Sequence, residues 1–211
     1  METQTVPTGK DALALVDKQG LVTLFPVKGT RFPSLYAAVV GESKKERLEK
    51  TWNWSDNLAQ RKRIHYGKLV ARQVTLVSLE VFPYVFRLFH RKEKQSETAE
   101  KILGFLNRHG ATSTTVLRKE LKLTGKENKG PFAKALDELQ LNLTIAIVSR
   151  DRSPQMTYSW DLIERWMPTE LLQKAAEISE SEAMEKIIEK LLENRVISKP
   201  EEAGKLLGWQ H

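Results

Sequence analysis

Along the chain, stretches with apolar residues three and four apart alternate with short apolar runs broken by proline or glycine. Thr8 reads as a helix cap ahead of Leu13, Val16 and Asp17, and Gly20 closes that helix. Residues 21–25 form an apolar run before Pro26 and read as extended. Pro33 opens a helix through Leu35, Ala38 and Val39 that stops at Gly41. The charged stretch 42–50 fits a loop or an exposed helix equally well. Trp52, Trp54 and the cap Ser55 introduce a helix to about Leu69. Residues 74–79 are rich in β-branched side chains and predict a strand, and residues 83–89 a helix with an apolar face.

The middle third is patterned more sharply. Ser96 caps a helix carrying Ala99, Ile102, Leu103 and Leu106 on one stripe, ended by Gly110. Ser113 caps a second, with Leu117 and Leu121, closed by Gly125. Pro131 starts a third, with Phe132, Ala135, Leu136 and Leu139 on one face. A strand over 143–148, a turn over 150–154 and a strand over 156–160 follow. Three helices and then a hairpin is the order of a winged helix-turn-helix. The remainder predicts helices over 168–178, behind a Ser179…Glu182 capping box, and behind a Ser198…Glu201 box as far as Leu207. No simple repeat is visible.

Composition narrows the function. The 211 residues are 40% hydrophobic and 29% charged, which is a globular balance, and no apolar run approaches the length of a membrane span. The start lacks the basic and apolar regions of a secretory signal. The absence of cysteine excludes disulfides, a thiol nucleophile and cysteine-ligated zinc or iron–sulfur clusters, and suggests a cytoplasmic protein. His65, His90, His109 and His211 are widely spread and suggest no metal site, and no nucleotide-phosphate loop or nucleophile elbow occurs. No cofactor is expected.

The net charge of +7 is concentrated. Residues 61–92 carry Arg61, Lys62, Arg63, Lys68, Arg72, Arg87, Arg91 and Lys92 against Glu80 alone, while residues 164–211 are net acidic. Such polarity predicts one anion-facing side. In the middle segment, burial of Phe132, Leu136 and Leu139 turns Lys129 and Lys134 to solvent. Arg118, Lys119, Lys122 and Lys126 lie on and after the second helix, and Arg150 and Arg152 at the hairpin tip, where a wing reaches phosphates. The alternative is a protein-binding module, toward which Asp137 and Glu138 weigh. Glu80, amid apolar neighbours, is a candidate acid or base. Trp52, Trp54, Trp160, Trp166 and Trp209 have the chemistry to stack on bases, although their positions fit core packing better.

A family resemblance rests on many weak motifs: Leu24-Phe-Pro-Val-Lys-Gly, Phe32-Pro-Ser-Leu-Tyr36, Trp52-x-Trp54-x-Asp56-x-Leu58, Tyr66-Gly-Lys-Leu69, Val77-Ser-Leu-Glu80 and Leu206-Leu-Gly-Trp209. With Leu136-x-x-Leu139-x-x-x-Leu143 and Ile145-Ala146 between them, they span nearly the whole chain. The chain resembles AlkZ-related winged-helix proteins, divergent relatives of the AlkZ/YcaQ DNA glycosylases. The resemblance implies a mainly α fold with short β-hairpins and tandem winged helix-turn-helix motifs. It implies a winged-helix-like unit over 1–92, a winged helix-turn-helix over 93–163 and a helical unit over 164–211. It also implies a role in DNA repair and a double-stranded DNA partner, which the charge pattern expects to be met through Arg61, Lys62, Arg63, Lys68, Arg72, Lys129, Lys134, Arg150 and Arg152. The glycosylases carry a Gln-x-Gln or Gln-x-Asp catalytic motif where this chain has Phe25-Pro26-Val27, and a threonine-leucine-histidine strand motif where it has Thr75-Leu76-Val77. The expectation is a DNA-binding protein without that catalysis. The rivals are a glycosylase acting through another residue, and a scaffold for a protein partner.

Overall fold

A computed structural model describes residues 5–90, 94–150 and 157–208. Helix α1 (Gly9–Gln19) starts where the Thr8 hydroxyl accepts the Asp11 N–H and the Asp11 carboxylate accepts the Thr8 N–H. It ends at Gly20, whose φ of 76° suits glycine, and where a Cβ would stand 2.8 Å from a Val81 methyl. Strand β1 (Leu21–Thr23) and the short α2 (Leu35–Ala38), capped by Ser34, follow.

Helix α3 (Lys44–Gln60) departs from the sequence expectation. It begins at Ser43, whose hydroxyl accepts the Glu46 N–H, so the charged stretch is its first half. Ser55 is no cap: it lies mid-helix and its hydroxyl donates back to the Thr51 carbonyl at 2.9 Å. Serine makes both bonds with equal ease, so sequence alone does not separate a cap from a mid-helix serine. The residues after Arg63 are strand β2 (Ile64–Lys68), not helix, held by β3 (Val74–Ser78) in antiparallel register with His65 opposite Val77. The first sheet runs β1-β3-β2.

After α4 (Phe82–Phe89), the middle segment repeats this architecture. Helix α5 (Glu97–His109), strand β4 (Thr112–Ser113), α6 (Thr114–Glu120), α7 (Lys129–Leu141), β5 (Ile145–Arg150) and β6 (Tyr158–Leu162) form a second antiparallel sheet in the order β4-β6-β5. Helix α6 stops earlier than Gly125, at Leu121 and a left-handed Lys122 with φ 58°. In both units the order is helix, strand, helix, helix, strand, strand, with the last strand central. The closures match too. Lys62 (φ 52°) follows α3 and Leu143 (φ 47°) follows α7, each two residues before the next strand. The N–H groups of Lys62 and Arg63 reach the carbonyls of Ala59 and Leu58, as those of Leu143 and Thr144 reach Gln140 and Leu139.

The chain ends in α8 (Ile163–Trp166), α9 (Thr169–Glu177), α10 (Glu180–Glu193) and α11 (Glu202–Leu207). Helices α9 and α10 pack on α4, and α11 on the 3-10 turn Val70–Arg72. Ser179 caps α10 as expected, but the Ser198 side chain does not cap α11; the Ser198 N–H donates to the Glu202 carboxylate at 2.9 Å. The fold is therefore mixed α/β and mostly helical, with two small three-stranded antiparallel sheets among the described residues.

One core joins the inner faces of α1, α3, α5 and α7 with Ile145, Ile147 and Trp160. A second joins Leu21 and Val77 on the first sheet to α4, Ile187 and Leu191 of α10, and Leu207. The two repeated units meet reciprocally: α3 packs on β5, α7 on β2, and β2 against β5. No helix among the described residues is long and apolar enough to cross a membrane.

Candidate nucleic-acid interface

The basic block divides along β2, and much of it is spent within the protein. At the far end of the strand the Lys68 ammonium reaches the Asp137 carboxylate on α7 at 2.5 Å, and Arg72 approaches the other oxygen at 3.7 Å. The Lys68 N–H also donates to Gln140 of α7 at 3.1 Å. Arg72 and Ala71 turn the β2–β3 hairpin with φ of 58° and 47°, and the Arg72 side chain remains 66% exposed. Arg87 lies 3.8 Å from Glu180. Arg91, Lys92 and Arg152 lie outside the described residues.

Arg150 faces inward instead of toward solvent. Its guanidinium donates to the Asp56 carboxylate at 2.7 Å and lies 4.8 Å from the centre of the Trp52 ring. Both charged side chains are about nine-tenths buried. Arg118 is likewise committed, donating to the carbonyls of Leu123, Thr124 and Gly125.

The near end of β2 is open. Arg61, Lys62 and Arg63 occupy the turn between α3 and β2, all exposed. Lys62 leans over the Trp166 ring at 4.7 Å. Arg61 and Arg63 instead line a cleft of about 340 Å³ between α1 and α3, with Lys10, Leu13, Trp54, Asn57 and Leu58. Asp17 stands near Arg63; partial burial lifts its carboxyl above the usual carboxylate range, with Arg63 opposing the rise. Arg61 and Lys10 have no acidic partner among the described residues.

A second open surface lies on α7. Lys129 and Lys134 are exposed and without a carboxylate partner among the described residues, while Asp137, a turn further on, is held by Lys68. Lys119, Lys122 and Lys126 are exposed nearby in sequence, around the end of α6.

The family model for AlkZ-related proteins matches residues 6–208. The chain belongs to the AlkZ-related family. Comparison with curated proteins and with solved structures returned no significant match.

In this AlkZ-related chain, Phe25 is held in aromatic packing. The Phe25 ring lies 5.5 Å from that of Tyr36 and 5.4 Å from that of Trp52. Trp52 continues to Tyr158, which contacts Tyr66 and Trp160. Burial pushes the Tyr158 hydroxyl up to about 12 and that of Tyr66 well above its ordinary value, so both remain protonated. Glu80, expected among apolar neighbours, is exposed in the turn after β3. Lys10 and Asn57, which line the cleft, do not stand out in the sequence, and Trp54 reads there as core. The spacing Trp54, Asn57, Leu58, Arg61 was a usable signal, because on a continuous α3 it is one helical face. Starting that helix at Ser55 hid it.

Proposed function

We propose that this AlkZ-related protein binds double-stranded DNA through two winged helix-turn-helix units in fixed mutual arrangement, without the base-excising chemistry of the glycosylases it resembles. The observation that carries the reading is the repeated unit with its strand order first–third–second, bearing exposed cations in both copies. In the first unit these are Arg61 and Arg63, with Arg72 on the hairpin that serves as the wing; in the second they are Lys129 and Lys134. The reciprocal packing of α3 on β5 and α7 on β2 holds these groups on one rigid frame. Lys62 adds charge beside Trp166, whereas Lys68 and Arg150 serve the joint between the units. We keep the segments 1–92, 93–163 and 164–211 as the functional units, and a cytoplasmic location.

Cleaving an N-glycosidic bond requires a polar group that orients water against the sugar. Phe25, held between Tyr36 and Trp52, offers none. Fluorescence anisotropy with a labelled duplex across a salt series tests the binding. About four to six phosphate contacts give a log–log slope of about −4 to −5. No binding at low salt, or a slope near zero, would transfer the units to a protein partner.

A further inference from the structure

We propose that the cleft between α1 and α3 is a subsite for one unpaired nucleotide, its base against Trp54 and its phosphate between Arg61 and Arg63; the proposal deepens the DNA-binding reading and rests on it. Trp54, Asn57, Leu58 and Arg61 share one face of α3, and Lys10 and Leu13 face them from α1. Trp54 is half-buried and supplies a flat aromatic wall, the one surface that every base complements. Gly9 keeps that wall accessible. It has no positive φ to require glycine, yet a Cβ there would approach the indole Cδ1 to 3.2 Å. Any larger side chain would intrude on the ring.

The polar groups suit the rest of a nucleotide. Asn57 is exposed and offers both a donor and an acceptor, as a base edge does. Arg61 lies two helical turns beyond Trp54, about 10 Å along the axis, a distance its own long side chain shortens. Arg63 and Lys10 line the same cleft and bring two further cations. Asp17 is the carboxylate coupled to Arg63, so the cleft keeps an excess of positive charge. A volume of about 340 Å³ accommodates one nucleotide and excludes a paired duplex. An acidic peptide would satisfy the arginines but leave the indole wall without a planar partner.

The test compares three probes on the intact protein by anisotropy and competition: a fully paired duplex, the same duplex with a one-nucleotide bulge, and free thymidine monophosphate. The bulged duplex should bind more tightly than the paired one, by about 5-fold or more. Trp54→Leu and the surface pair Arg61→Ala/Arg63→Ala should each remove that preference. Paired-duplex binding should survive Trp54→Leu, whereas the arginine pair, which also meets the paired duplex, should weaken both duplexes and leave them equal. Circular dichroism checks the fold, and the arginine pair answers the question if Trp54→Leu does not fold. Competition by the monophosphate supports a site for the nucleotide itself; its absence, with bulge preference intact, supports a nucleotide delivered within a strand. Equal affinity for bulged and paired duplexes overturns the subsite while leaving DNA binding standing. Failure of both duplexes to bind overturns both.

Discussion

Asp56 and Asp137 stand at equivalent places in the two units: each lies six residues before the left-handed residue that closes its helix, Lys62 or Leu143. Each receives a cation from the end of the other unit's second strand, Asp56 from Arg150 at 2.7 Å and Asp137 from Lys68 at 2.5 Å. The joint between the units is thus a pseudo-symmetric pair of ion pairs. They differ in depth, since Arg150 and Asp56 are 10% and 7% exposed while Lys68 and Asp137 are 33% and 27%.

That difference predicts unequal mutational costs. Arg150→Ala breaks the more buried of the two ion pairs and should cost about 3–5 kcal/mol. Lys68→Ala removes a half-exposed pair and should cost about 1 kcal/mol or less. Urea denaturation of both variants measures the gap, and equal costs would show that the joint does not depend on the buried pair.

His65 predicts acid sensitivity. Its ring is buried against Phe82, neither nitrogen has a hydrogen-bond partner among the described residues, and burial holds its pKa down to about 4. The unfolded chain, with a histidine near 6.5, binds a proton that the native state refuses. Stability is therefore full above pH 6.5 and falls as the pH drops toward 4, by about 3 kcal/mol in all. In His65→Leu that part of the decline should vanish from a series of denaturation midpoints; an unchanged pH profile would exonerate His65.

Lys129→Ala/Lys134→Ala should lower DNA affinity alike for unrelated sequences, because lysine on phosphate reads no base. Its salt slope should be shallower by about 2. Unchanged affinity with an intact fold would remove α7 from the interface.

Base release should be absent. In a single-turnover incubation of excess protein with a duplex containing N7-methylguanine, alkaline strand scission should give no more than the spontaneous background. Release within minutes, abolished by Glu80→Gln, would instead establish an unconventional glycosylase.

Much of this molecule is written locally. The stripe of α5 with Ser96 before it and Gly110 after it, the Thr8–Asp11 box of α1, the Ser179 cap of α10 and the β-branched run of β3 were all legible. Helix periodicity, caps and strand propensity act over a few residues, and those interactions are the same in the unfolded neighbourhood as in the fold. The placement of α3 was not legible, because a serine hydroxyl that caps and one that bonds back to its own helix look alike until β2 finds β3. Nor was the fate of the cations. Arg150, Lys68 and Arg61 are equivalent as charges on a string, yet the first is buried on Asp56, the second shared with Asp137, and the third left open beside Trp54. Which arginine remains for a partner depends on carboxylates 94 and 69 residues away in the chain, and only the packing of the two units against each other brings them within reach.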